Sequence, residues 1–198
     1  MNVYFRSARW PMRRRDDEKE KRIKEALVQL ILEEGWNGAS MSKIAKAAGV
    51  SPSTVYVYFD SKEDMLQCTY REYSEDVYDC LMNDVSDNMG PGEILEELIR
   101  GYYQYILDHP EIFCFVEQFS GSPALASCCQ GKQRVCDIEA VIEKLREAGQ
   151  IQDYSNDVLY AAIFYPVKAI ATNNHRTEKE RDHLLDELIE FDKYAILK

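Results

Sequence analysis

The sequence predicts an all-α protein of about nine helices, with an N-terminal three-helix unit and a larger helical remainder. Beyond Arg15, apolar residues recur almost throughout at three- and four-residue spacing. Small hydroxyl residues and prolines stand where helices would begin, and glycines stand where they would stop. At 198 residues, 45% of them hydrophobic, the chain can bury a sizeable core in one large domain or two small ones. The expected divisions are a basic arm over 1–15, a helix-turn-helix unit over 16–66 and a helical remainder over 67–198.

Ile23, Ala26, Leu27, Leu30 and Ile31 form one apolar stripe on a helix from roughly 17 to 34, and Gly35 is a natural stop. Ser40 can cap a short second helix through KIAKAA, with Ile44, Ala45 and Ala48 on one side and Gly49 at its end. The next stretch, GVSPSTVYVYFDSK, is rich in residues a strand favours, yet its punctuation is helical. Ser51 is an N-cap residue, and Pro52 takes the one helical position where a missing N–H costs nothing. Val50 and Val55 have the spacing of a hydrophobic staple, Phe59 shares their face, and Ser61 with Asp64 restarts a helix. If Val50, Val55 and Phe59 face inward, then Ser53, Thr54, Tyr56, Val57 and Tyr58 lie largely on the other sides.

In the remainder, a helix continues from Met65 to about Val85 through Leu66, Tyr70, Tyr73 and Val77, and DNMGPGE breaks it. Helices follow near 91–107, 111–119 and 123–147, and SNDVLYAAIFYPVKAIATNN and TEKERDHLLDELIEFDKYAIL supply the last two. Pro166 should kink the first of these. Leu159, Ile163, Val167 and Ile170, then Leu184, Leu185, Leu188, Ile189 and Tyr194, exceed what one side of a lone helix pair needs. A four-helix bundle with a second copy would bury them, and packing within one chain is the alternative.

The net charge of −11 argues against a general nucleic-acid binder, but the charge is unevenly spread. Residues 1–66 hold 12 Lys and Arg against 10 Asp and Glu, which leaves 12 and 25 of the chain's 24 and 35 for the rest. Any DNA contact therefore belongs in the first third. There is no long apolar run and no signal-peptide core, so a cytoplasmic protein with no membrane partner is expected. The absence of a Gly-rich phosphate loop, HExxH or GxSxG, with three scattered histidines, argues against an enzyme; no catalytic residue, cofactor or metal site is expected.

Two short helices joined by a Gly-containing turn form a helix-turn-helix pattern, in which the start of the second helix reaches base edges in the major groove. The Thr54 methyl could meet a thymine methyl, and tyrosine hydroxyls and Lys62 could bind phosphate. A three-helix core with tyrosines at an internal interface is the alternative.

The stretch GWNGASMSKIAKAAGVSPSTVYVYFDSKEDML resembles the DNA-binding signature of TetR (tetracycline repressor) family transcriptional regulators, over roughly residues 17–66. The resemblance implies a dimeric, ligand-responsive regulator, most often a repressor on a palindromic operator, with the helix from Pro52 as its reading element. It carries DNA contacts onto Ser42, Pro52, Ser53, Thr54, Tyr56, Val57, Tyr58 and Lys62. Ser53, Thr54 and Val57 are expected to read bases, and Tyr56, Tyr58 and Lys62 to hold phosphate. Many members carry Gly where this chain has Ser53, which bears on the sequence read. Arg6, Arg9, Arg13, Arg14 and Arg15 either add backbone contacts or form a solubilising tail.

The resemblance also implies a dimer through the last two helices and a small-molecule pocket in the helical remainder. The segment GYYQYILDHPEIFCFVEQFSGSP gathers Tyr102, Tyr103, Tyr105, Phe113, Phe115 and Phe119 around Glu117, with Tyr160, Phe164 and Tyr165 available later. Tyr102, Tyr103, Phe113, Glu117 and Tyr165 are the candidate ligand residues, suited to a flat, lipophilic or cationic molecule. Ordinary core is the alternative. Two other functions stay open: a helical protein-interaction adaptor, and redox or metal sensing through Cys128, Cys129 and Cys136.

Overall fold

The computed structural model describes residues 16–86, 88–122, 125 and 133–198, with the backbone alone described over 133–137. Nine named helices lie among the described residues, and the chain divides into two compact units, Met1–Met65 and Leu66–Lys198. The basic arm of residues 1–15 lies outside the described residues, as do Cys128 and Cys129. Cys136 is among the residues whose side chains are not described.

The first unit holds α1 (Asp17–Glu34), α2 (Met41–Ala47) and α3 (Pro52–Tyr58). Asp17, Glu18 and Glu20 occupy the first turn of α1, where carboxylates meet the positive end of the helix dipole. The helix buries Ile23, Ala26, Leu27, Leu30 and Ile31. In the turn that follows, a Cβ at Gly38 would lie 2.6 Å from the Glu34 carbonyl oxygen, so glycine is required there.

The Ser40 hydroxyl caps α2, accepting from the Lys43 N–H at 3.3 Å. At its far end Gly49 adopts φ 66°, the left-handed region that other residues avoid. Its N–H donates to Lys46 O at 3.2 Å and the Val50 N–H donates to Ala45 O at 2.9 Å, which satisfies two terminal carbonyls and turns the chain into α3. Ser51 then caps α3 by accepting from the Thr54 N–H at 3.2 Å, and Pro52 is the first helical residue. Cap, proline and the burial of Val55 and Phe59 override the strand preference of STVYVYF.

The second unit holds most of α4 (Lys62–Asn83), then α5 (Pro91–Asp108), α6 (Pro110–Ser120), α7 (Gln133–Glu147), α8 (Asn156–Ala171) and α9 (Glu178–Ile196). Ser61 starts α4 by accepting from the Asp64 N–H at 3.0 Å. Ser155 caps α8, and Thr177 with Glu180 forms a reciprocal capping box on α9. Helices α5, α8 and α9 pack on one another. Ile99, Leu159, Val167 and Ile189 are among their fully buried side chains, each contributing about 1.5–3 kcal/mol by leaving water.

This packing corrects the expected dimer stripe. Leu159, Ile163, Val167, Leu185 and Ile189 are buried within the chain, because α8 and α9 turn their aliphatic faces onto α5 and each other. Ile170, Leu184 and Leu188 are half-buried. Of the expected stripe Tyr194 alone is exposed, at 91%, and three residues outside it join it on the same two helices: Val158 and Tyr165 on α8 and Phe191 on α9. Helix α8 runs on past Pro166 to Ala171.

Candidate nucleic-acid interface and cavity

Helix α3 turns one side to its unit's core and the other to solvent. Ser42, Pro52 and Ser53 are exposed, Thr54 is half-exposed, and Tyr56 and Val57 are 56% and 57% exposed. The Ser51 hydroxyl joins the fold to this surface: it caps the helix and also lies 2.8 Å from Ser53 Oγ and 2.8 Å from Thr54 Oγ1.

Two expected phosphate ligands sit elsewhere. Tyr58 is buried, and its hydroxyl accepts from the Asp16 N–H at 3.1 Å while donating to the Asp16 carbonyl at 3.3 Å. Position 58 lies about 60° from Val55 around a helix of 3.6 residues per turn, so it follows Val55 inward. Lys62 points its ammonium at the loop between α1 and α2. It donates to Trp36 O at 2.9 Å and Ala39 O at 3.0 Å, with Nζ 3.9 Å from the centre of the Trp36 ring. Both side chains therefore hold the unit together where they were expected to reach outward.

The described part of this unit offers little free positive charge. Helix α3 has no basic residue, and the Lys43 ammonium is taken by Glu34 and by the Gly38 carbonyl at 3.1 Å. Five of the 12 basic residues in 1–66 are the arginines of the arm.

In the second unit a cavity of about 860 Å³ opens among α4, α5, α6 and α8. Four of the five expected ligand residues line it: Tyr102, Phe113, Glu117 and Tyr165. Tyr103 does not, because the next position on α5 points toward α9, where its hydroxyl donates to Asp182 Oδ1 at 3.3 Å. Phe115 is buried whole, in edge contact with Tyr73 and Phe119.

The wall is aromatic. Tyr102 meets Phe164 edge-to-face at 5.1 Å and Phe113 at 6.2 Å. Burial pushes the Tyr102 phenol up to about 12, so it stays a neutral hydroxyl at physiological pH. Glu117 is not the lone acid the sequence suggested, since it forms an ion pair with Lys168 of α8.

Sequence reasoning missed Lys168 and the α4 wall of Tyr70, Ser74, Val77, Tyr78 and Leu81. Their signals were present: Lys168 is the single basic residue of α8, and the α4 positions recur at helical spacing.

Residues 23–68 match the family described as bacterial regulatory proteins, tetR family. A helix-turn-helix transcriptional regulator of Haemophilus influenzae, itself uncharacterised, is 24% identical over 75% of this chain and 79% of its own. The fatty acid metabolism regulator protein of Bacillus subtilis is 33% identical over 44% of this chain and 45% of its own. Among solved structures, a TetR family transcription regulator from Marinobacter aquaeolei superposes with a TM-score of 0.76 at 24% identity, covering 88% of this chain and 95% of that one. One from Haemophilus influenzae gives 0.80 at 20% identity, covering 94% and 100%. Together with the capped two-helix motif, these likenesses define a DNA-binding transcriptional regulator. Over residues 23–68 the chain carries the DNA-binding domain of the tetR family.

Proposed function

We propose that the protein binds a two-fold symmetric operator as a homodimer, represses from it, and is released when a small aromatic or lipophilic molecule enters the cavity of the second unit. The observation that carries the DNA reading is the outward side of α3. Tyr56 and Val57 are large, more than half exposed and without a role in the core, and the exposed hydroxyl of Ser53 lies beside them.

In this reading Ser53, Thr54 and Val57 meet base edges, Tyr56 and Ser42 bind phosphate, and Pro52 lets the helix start approach the backbone. Tyr58 and Lys62 act by holding α3 and the α1–α2 loop in place. The dimer would use Val158, Tyr165, Phe191 and Tyr194, the apolar side chains α8 and α9 leave exposed. The reading assigns no catalytic step and places the protein with its DNA in the cytoplasm; among the described residues no helix is long and apolar enough to cross a membrane.

The experiment is an anisotropy titration of wild type and a Thr54→Ala, Tyr56→Ala double variant against DNA from the protein's own promoter region. Affinity should fall about 30-fold or more in the variant, with the wild-type value dropping steeply as salt rises. Equal affinity of the two proteins would remove α3 as the reading element. Salt-independent wild-type behaviour would favour the adaptor reading.

A further inference from the structure

The cavity lining carries two carboxylates, Glu117 and Asp157, and one ammonium, Lys168, and the two half-buried charges among them are matched to each other. Glu117 on α6 and Lys168 on α8 form an ion pair between two of the cavity's walls, with side chains 29% and 35% exposed. Half-withdrawn from water, each charge needs the other, and stripping either of its partner leaves an ion facing apolar rings. We propose that this pair makes the cavity selective for uncharged ligands, an aromatic or long apolar body with one or two hydrogen-bonding groups, and turns away organic cations and anions alike. The inference rests on the reading of the cavity as the effector site and specifies the ligand class it takes.

A cation entering among Tyr102, Phe113 and Phe164 loses hydration and finds its counter-ion held by Lys168. An anion faces the mirror problem, because Lys168 is held by Glu117. An uncharged molecule leaves the pair intact. The other polar groups of the inner wall suit such a molecule: Tyr70, Tyr78, Tyr102 and Tyr160 line it, and a neutral phenol can bond carbonyl, ether or hydroxyl oxygens without requiring a net charge, whereas the Ser74 hydroxyl already donates to Tyr70 O at 2.6 Å. Asp157 is the remaining charged group in the lining, and it is exposed, where water screens it.

The test titrates the full-length protein with three fluorescent probes: Nile red, which is neutral, rhodamine 6G, a cation, and 1-anilinonaphthalene-8-sulfonate, an anion. Wild type should bind Nile red about 10-fold or more tightly than either ion. Lys168→Gln should improve rhodamine binding about 10-fold by freeing Glu117, and Glu117→Gln should do the same for the sulfonate, with Nile red changed by no more than about 3-fold. Melting temperatures and circular dichroism matching wild type guard against a fold defect in the single variants.

Gly121 lines the cavity at φ −83° with open space around its missing Cβ, so Gly121→Trp should weaken all three probes. Rhodamine binding wild type as tightly as Nile red, and lost in Glu117→Gln, overturns the charge rule while the cavity reading survives. Binding of no probe, or probes indifferent to Gly121→Trp, overturns the cavity reading and the charge rule with it.

Discussion

Tyr56 and Tyr58 stand two residues apart on α3, and Tyr102 and Tyr103 stand side by side on α5; in each pair the two rings serve opposite ends. On α3, Tyr56 faces solvent while Tyr58 ties its hydroxyl to the start of α1. On α5, Tyr102 faces the cavity while Tyr103 bonds Asp182 on α9. In the first unit the outward ring is more than half exposed among the described residues, so it is placed to meet a macromolecule. In the second the outward ring meets other aromatic side chains around a space, so what it can take up is small. One residue type thus serves a surface in one unit and a cavity in the other, and about 100° of helix rotation per residue decides which.

The contrast is broken most severely by removing the apolar surface of α8 and α9. Phe191→Glu with Tyr194→Glu should give a folded monomer in sedimentation velocity and lower operator affinity by about 100-fold, since each half-site is then bound alone. A variant that remains dimeric would move the interface elsewhere. Next comes Lys62→Met, which removes two charge-assisted bonds to loop carbonyls. Urea denaturation should show a loss of about 3 kcal/mol, with the salt dependence of DNA binding unchanged. A reduced salt slope at unchanged stability would return Lys62 to the phosphate ligands.

Asp192 offers a smaller effect. It is 1% exposed on α9, its Oδ2 has no hydrogen-bond partner among the described residues, and burial pushes its carboxyl from 3.8 up to about 6. The folded protein therefore holds this proton more tightly than the unfolded chain does. The stability gained is whole below about pH 4 and is lost as pH rises through about 6. Asp192→Asn should remove that loss, so its stability relative to wild type should rise between those limits by on the order of 2 kcal/mol, read from melting curves across pH. A difference that stays flat with pH would show that Asp192 does not titrate in place. Smallest is Tyr58→Phe, expected to cost about 1 kcal/mol of stability and leave operator affinity within about 3-fold. A larger loss of affinity at full stability would place the hydroxyl on DNA.

The first unit was legible because its signals are local. Ser40, Ser51, Pro52, Gly49 and Gly35 each act within a few residues of their own position, and every helix boundary they imply is where the chain turns. What escaped was rotational detail. Tyr58 could have been placed inward from its angle to Val55, whereas nothing near Lys62 in sequence announces Trp36 and Ala39 as its partners. In the second unit helix extents were again readable, save the start of the helix expected near 123–147, where 123–124 and 126–132 lie outside the described residues; the use of each face was not. Leu159, Ile163 and Val167 would serve equally well in a dimer seam or against α5, and only the packing decides between them. The Glu117–Lys168 pair joins residues 51 positions apart and leaves no local trace.

The shared hydroxyl contacts at Ser51 bear on how such a protein could acquire a new operator. Ser53 and Thr54 are the side chains one would vary to alter base preference, and both hydroxyls rest against the one that caps their helix. Glycine at position 53, common among relatives by the family resemblance, would free the cap from one neighbour and loosen the first turn. Target preference and the firmness of the helix that reads it are therefore not independently adjustable here. A lineage or an engineer changing one inherits a change in the other, and compensation is most directly found at Val55 and Phe59, the two anchors beneath.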